Sequence, residues 1–278
     1  MTATPFDFDP LSKNPPTKKS KMPWGINFGG GTNSTALVIE CFNRGLKPSW
    51  ILFSDTKDEK PETYEAMKRL NAWLKKRDWP TINRTEWIRQ KPLEDGTMTE
   101  SLEQYCLRLG YMPSAAYGYA GCSTKFKRQP AERWRKEQGF EQTVYALGYD
   151  AGEHKRVNRP RCETTDSTTE WPWYPLYAWG INRDRCVEII KEAGLQPVAK
   201  SACWFCPFSK RQEWEALSRD HPDLFARALA IEANAIKNGN AKSGLRRSQG
   251  FIKDLPIAAL DNDENDDKTP CECFETTS

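Results

Sequence analysis

The 278-residue, 31.9 kDa chain is 38% hydrophobic and 28% charged, and its 11 Trp, 9 Tyr and 12 Phe exclude a wholly disordered polymer. No apolar run approaches the ~20 residues of a membrane helix. The start, MTATPFDFDPLSKNPPTKKSK, has no apolar stretch behind a basic end, so a cytoplasmic address is expected rather than secretion. The net charge of +3 hides a split: eight acids and one Lys lie from Asp254 to Ser278, leaving residues 1–253 at +10. A body this basic favours anionic partners such as nucleotides or nucleic acid.

In chain order, residues 1–20 hold four Pro without periodicity and read as a disordered arm. Trp24–Phe28 reads as a strand, Gly29-Gly30-Gly31 as a turn, and Asn33 or Ser34 as the cap of a helix that Gly45 ends. Trp50–Phe53 follows as a second, parallel strand. Pro61 opens a second helix, and 82–88 is a third strand. Thr97 and Glu100 predict a capping box for a helix over 97–109. Pro130 starts another helix, 143–149 is a strand, and Asn182 and Gly194 bound a further helix. Residues 155–169 read as a long loop, and two helices are expected over 210–218 and 222–238. The organisation is α/β with a mostly parallel sheet over 21–200, a helical piece over 201–260, and an acidic tail over 261–278.

The turn Gly29-Gly30-Gly31-Thr32-Asn33-Ser34-Thr35 has the chemistry of a phosphate cradle. Glycines let backbone N–H groups approach an anion, and the helix start adds donors and positive dipole. It has neither the GK[ST] ending of a P-loop nor GxGxxG spacing, and close packing alone would also explain the glycines. Asp55 ends strand two, where open α/β sheets bind ligands; it could meet a ribose or a metal, or serve as a solvated carboxylate or helix cap. Glu62 is a site candidate or a first-turn residue stabilising its own helix.

The segment resembles the SGGxDS loop of the PP-loop ATP pyrophosphatases. Asp55-Thr56 with Pro61-Glu62-Thr63-Tyr64 resembles the DTG…PETY element of the phosphoadenosine phosphosulfate reductase branch. Gly121–Pro130 is similar to its Cys-x-x-(Arg/Lys)-Lys-x-x-Pro segment, and Pro175-Leu176, Trp179 and Val187 to its Pro-Leu-x-x-Trp…Val segment. Cys203-Trp204-Phe205-Cys206-Pro207 resembles the Cys-x-x-Cys of cluster-bearing members. The layout is similar to reductase-like proteins of phage genomes. The resemblance implies a Rossmann-like PP-loop fold and binding of ATP or a related adenine nucleotide, with magnesium as a candidate ion. The chain departs from the pattern at Gly29, where the family has Ser, and at Asn33, where it has Asp. The reductase's C-terminal Glu-Cys-Gly-(Leu/Ile)-His segment is absent, and Cys271-Glu272-Cys273 stands near the chain end instead.

Nine cysteines in a reducing compartment point to metal, cluster or redox chemistry rather than disulfides. Cys203 and Cys206 have ligand spacing. Cys122 precedes the cations Lys125, Lys127 and Arg128, which would favour its thiolate. Cys106 or Cys162 is a candidate fourth ligand. The resemblance favours a 4Fe–4S cluster, with zinc as the alternative. Cys41 and Cys186 read as core. Lys155 and Arg156 are candidates to meet a substrate anion, and His154 could face the site. The basic run Lys125–Lys136, with Trp134, could follow a nucleic-acid backbone or be an exposed face near an anionic cofactor. The expected function is an adenine-nucleotide-dependent sulfur-transfer or sulfonucleotide enzyme, acting on DNA, tRNA or a sulfonucleotide, with a sulfur-donor protein as a candidate partner. The competing reading is a non-catalytic nucleotide- and metal-binding protein.

Overall fold

The computed structural model describes residues 8–16, 22–113, 121–158, 169–198, 200–241, 244–245 and 250–255. Its centre is a five-stranded, all-parallel sheet in the order β3-β2-β1-β4-β5. The strands are β1 (Trp24–Asn27), β2 (Trp50–Asp55), β3 (Ile82–Glu86), β4 (Thr143–Ala146) and β5 (Glu170–Trp173). The order reverses between β1 and β4, which makes their carboxyl ends the switch point of the sheet.

Helices α1 (Thr32–Asn43), α2 (Pro61–Lys75) and α8 (Arg183–Glu192) share the main core with one sheet face. Alternation along β2 shows why two faces are covered: Ile51 and Phe53 join that core, while Trp50 and Leu52 pack with Ala131 on the other. Gly25 is fixed by this packing, since a Cβ there would lie 2.1 Å from the Trp50 ring.

Helix α3 (Leu102–Leu109) is capped by Ser101, whose side chain and Gln104 form the capping box. The expected Thr97–Glu100 box does not form, because Glu100 is drawn into ion pairs with Arg89 and Arg108. A composite helix follows: α4 (Gly121–Ser123), a π-helical turn (Thr124–Arg128) and α5 (Gln129–Glu137). Short turns α6 (His154–Val157) and α7 (Pro175–Ala178) flank β5; α6 falls in the stretch expected to be loop.

Helices α9 (Arg211–Asp220) and α10 (Pro222–Lys237) form the helical end piece, as expected. Their core is not self-contained. Trp214, Phe225 and Ile231 share it with Leu102, Cys106 and Phe126, so the second core crosses the boundary expected at residue 201.

The N-terminal arm is also corrected for residues 8–16. Phe8 is buried in the main core, and the Trp173 and Trp179 indoles donate to the Ser12 and Lys13 carbonyls at 2.6 and 2.8 Å. Buried indole N–H groups need acceptors, and this segment supplies them. Among the described residues no helix is long and apolar enough to cross a membrane.

Candidate functional site

The glycine turn leaves β1 at the switch point. Gly30 has φ +81°, and a Cβ there would sit 2.7 Å from the Thr63 methyl, so glycine answers both to backbone and to packing. Gly31, not Asn33 or Ser34, is the N-cap of α1, and no side chain caps the helix. The Ser34 hydroxyl donates back to the Gly31 carbonyl at 3.0 Å, and the Thr32 hydroxyl donates to the Val198 carbonyl. Thr35 is buried in the first turn. Two of the hydroxyls expected to face a phosphate are thus turned into the protein, and the first-turn N–H groups are what the helix start presents.

Asn33 is the centre of a buried polar network. Its Nδ2 donates to Asp150 Oδ2 at 2.8 Å and to Glu153 Oε2 at 3.1 Å, and its Oδ1 accepts from Arg183 Nη1 at 2.9 Å. Asn33, Asp150 and Glu153 are 6%, 6% and 7% exposed. Burial pushes the Glu153 carboxyl up from its usual range, against the opposing pull of Arg156. An aspartate at position 33 would place a third carboxylate here, which accounts for the neutral amide. Gly148 brings the segment after β4 this close: a Cβ would lie 2.9 Å from the Ser34 nitrogen.

The other expected site residues come from several elements. Both Asp55 oxygens have donors: Lys57 N and Tyr64 Oη reach Oδ1 at 2.8 Å each, and Arg84 pairs with Oδ2. Glu62 pairs with His221 at the start of α10. Arg156 pairs with Glu153 and lies over the Tyr149 ring, 4.1 Å from its centroid. Lys155 is exposed. His154 contacts Tyr177 at 2.8 Å.

The structure gathers three of the expected cysteines. Cys122, Cys203 and Cys206 line one small cavity, together with Thr56, Lys127 and Phe205. Cys106 is buried in the adjoining core but is not on the cavity wall, and Cys162, Cys271 and Cys273 lie outside the described residues. Among the described residues no three His, Cys, Asp or Glu side chains are grouped to hold a metal ion. The three thiols line the cavity without forming such a group.

Lys127 favours the Cys122 thiolate as expected, but burial outweighs it and raises the thiol. Burial also pushes Cys206 to about 12 and Cys203 well above the usual thiol range. Lys127 is itself buried and pairs with Glu59 at 3.0 Å, while Glu59 Oε2 has no hydrogen-bond partner among the described residues.

The basic run is not a free face. Lys125 lies over the Trp87 and Tyr105 rings, 4.8 and 4.2 Å from their centroids, and Lys127 is buried. Arg128 and Arg133 pair with Glu132 and Glu137, and Arg135 is buried against Glu170. Lys136 alone of the six is exposed.

The glycine turn and the thiol cavity meet at one short segment. Ser201 Oγ donates to the Gly29 carbonyl at 2.7 Å, and Ala202 and Cys203 line the cavity. Lys60 N donates to the Ala202 carbonyl, and Glu59 bridges to Cys203 through backbone pairing. The missed residues are Asp150, Glu153, Arg183 and Ser201. Two carboxylates just past a strand next to β1 were a signal available in the sequence. No protein-family model matches the chain, and no curated protein matches it.

Proposed function

We propose that this chain binds an adenine nucleotide with its phosphates on the Gly29–Thr35 turn, and carries a 4Fe–4S cluster for sulfur transfer or sulfonucleotide chemistry. The observation that supports this most is the pairing of an uncapped helix start at the switch point with a three-thiol cavity, separated only by Ser201–Cys203. Cys122, Cys203 and Cys206 would hold the cluster. When bound, such a cluster supplies electrons, or an open iron position where only three thiolates ligate it. Lys127, paired with Glu59, lies on the cavity wall beside the thiols. The apolar side chains of Leu102 and Phe205 limit water there.

Anaerobic purification with iron, sulfide and zinc analysis tests the reading. About four irons and four sulfides per chain are expected, lost in Cys203→Ser and kept in Cys41→Ser. Zinc alone, or no metal, overturns the cluster. ATP titration by calorimetry tests the nucleotide.

A second reading, nucleotide binding without turnover, is favoured by Asp55, whose two oxygens are already engaged. Release of AMP or pyrophosphate from ATP, with and without nucleic acid, separates the two.

A further inference from the structure

Arg183 stands out at the glycine turn. Its Nη1 donates to the neutral amide of Asn33, and among the described residues it forms no ion pair. The nearby carboxylates are otherwise engaged: Glu153 holds Arg156 and accepts from Asp150 N, and Asp150 accepts from Gly152 N at 2.7 Å. The Asn33 amide is oriented by these neighbours. Its Nδ2 faces two acceptors, so its Oδ1 must face the guanidinium. Arg183 is therefore aimed at the first turn of α1 by a group that carries no charge to neutralise it.

We infer that Arg183 is a phosphate-contacting residue, and that Asn33 keeps its charge available for the ligand. A guanidinium has five donors in a planar fork, and one hydrogen bond to an amide leaves the others for phosphate oxygens. An aspartate at position 33 would pair with Arg183 directly and take that charge out of use. The sequence departure at Asn33 then marks a site that neutralises phosphate with an arginine. This rests on the nucleotide reading above and assigns it a specificity residue: the ligand is recognised through a polyphosphate group.

The test is calorimetric titration of the full chain and of Arg183→Met with ATP, adenosine and tripolyphosphate. Loss of a charged hydrogen-bond donor weakens binding by about tenfold or more. The expected result is that loss for ATP and tripolyphosphate, with adenosine affinity unchanged. Arg183→Lys should recover part of the ATP affinity, since the charge returns without the fork. Unchanged ATP affinity in Arg183→Met overturns the inference, as does an equal loss for adenosine, which would make the role structural. If the wild type binds tripolyphosphate through Arg183 but ATP no better, the adenine reading falls while Arg183 stands. If it binds none of the three, both fall.

Discussion

Replacing Gly148 by alanine isolates the approach on which the candidate site depends. An added Cβ would lie 2.9 Å from Ser34 N and 3.0 Å from Asn33 C and Ser34 Cα. These are backbone atoms in the first turn of α1, so no side chain can swing aside. Ordinary contact begins near 3.4 Å, which leaves a shortfall of roughly 0.5 Å to be absorbed by moving the helix start or the β4 turn. Gly148 does not have a left-handed φ, so the cost is steric alone. Overpacking of this kind costs about 1–3 kcal/mol, or roughly 2–5 °C in melting temperature for a chain of this size. The same displacement shifts the first-turn N–H groups and the Asn33 amide, so ATP affinity should fall about tenfold. Gly194→Ala is the control. Its φ of +75° makes alanine strained, but nothing lies within 4 Å of the new Cβ. It should cost about 1–2 kcal/mol and leave ATP affinity intact. Thermal melting and calorimetry on both variants decide the matter. A Gly148→Ala protein with wild-type melting and affinity would refute the close approach, and an affinity loss in Gly194→Ala as large as in Gly148→Ala would show that binding merely tracks stability.

Lys127→Met strands the buried Glu59 carboxylate and should cost about 3–5 kcal/mol in urea denaturation; adding Glu59→Gln should restore most of that, and additive losses in the double variant would mean that the pair does not couple. Burial raises Asp58 to about 6, with Glu103 N donating to it at 2.7 Å. A raised carboxyl binds its proton more tightly in the folded state, so stability from this group grows as pH falls from above 6 towards 4 and is absent at pH 8. Asp58→Asn should therefore gain on the wild type by about 3 kcal/mol at pH 8 and match it near pH 4; a difference independent of pH would sink the assignment. Phe8→Ala should lower stability by about 2–4 kcal/mol, read by thermal melting, whereas an unchanged melting temperature would mean that residues 8–16 do not dock on the main core.

The first half of the sheet was legible because its signals are local. A hydrophobic strand, three glycines, an apolar helix face and Pro61 each report on neighbours within a few residues. β5 was not: Glu-Trp-Pro-Trp is four residues long, carries a proline, and is a strand only because β4 pairs with it. The N-terminal arm was misread for a related reason. Its order comes from indole donors more than 160 residues away, which composition cannot reveal. At the site, the convergence of Cys122, Cys203 and Cys206 was legible through spacing and resemblance. The basic run stayed open between two readings because charge was counted without its partners, and Glu59 and Glu170 lie 68 and 35 residues from the cations they hold.

The π-helical turn at Thr124–Arg128 gives the composite helix two phases. The Gln129 N–H reaches back to the Thr124 carbonyl, five residues away, so one residue more than an α-helix would use is absorbed in the turn. Each residue of an α-helix advances about 100° around the axis, so the stretches on either side are offset by that angle from an unbroken helix. The wide turn lets both halves keep their assignments: Cys122 and Ser123 stay on the cavity wall, while Ala131 stays under the sheet. It also sets the positions at the join, with Phe126 going to the second core and Lys127 to the thiols. Deleting one residue within 124–128 would restore an ordinary helical repeat without altering any cysteine. It would then rotate either the cysteine or the sheet-packing face out of register, so the wall of the cavity depends on the length of this segment as much as on its composition.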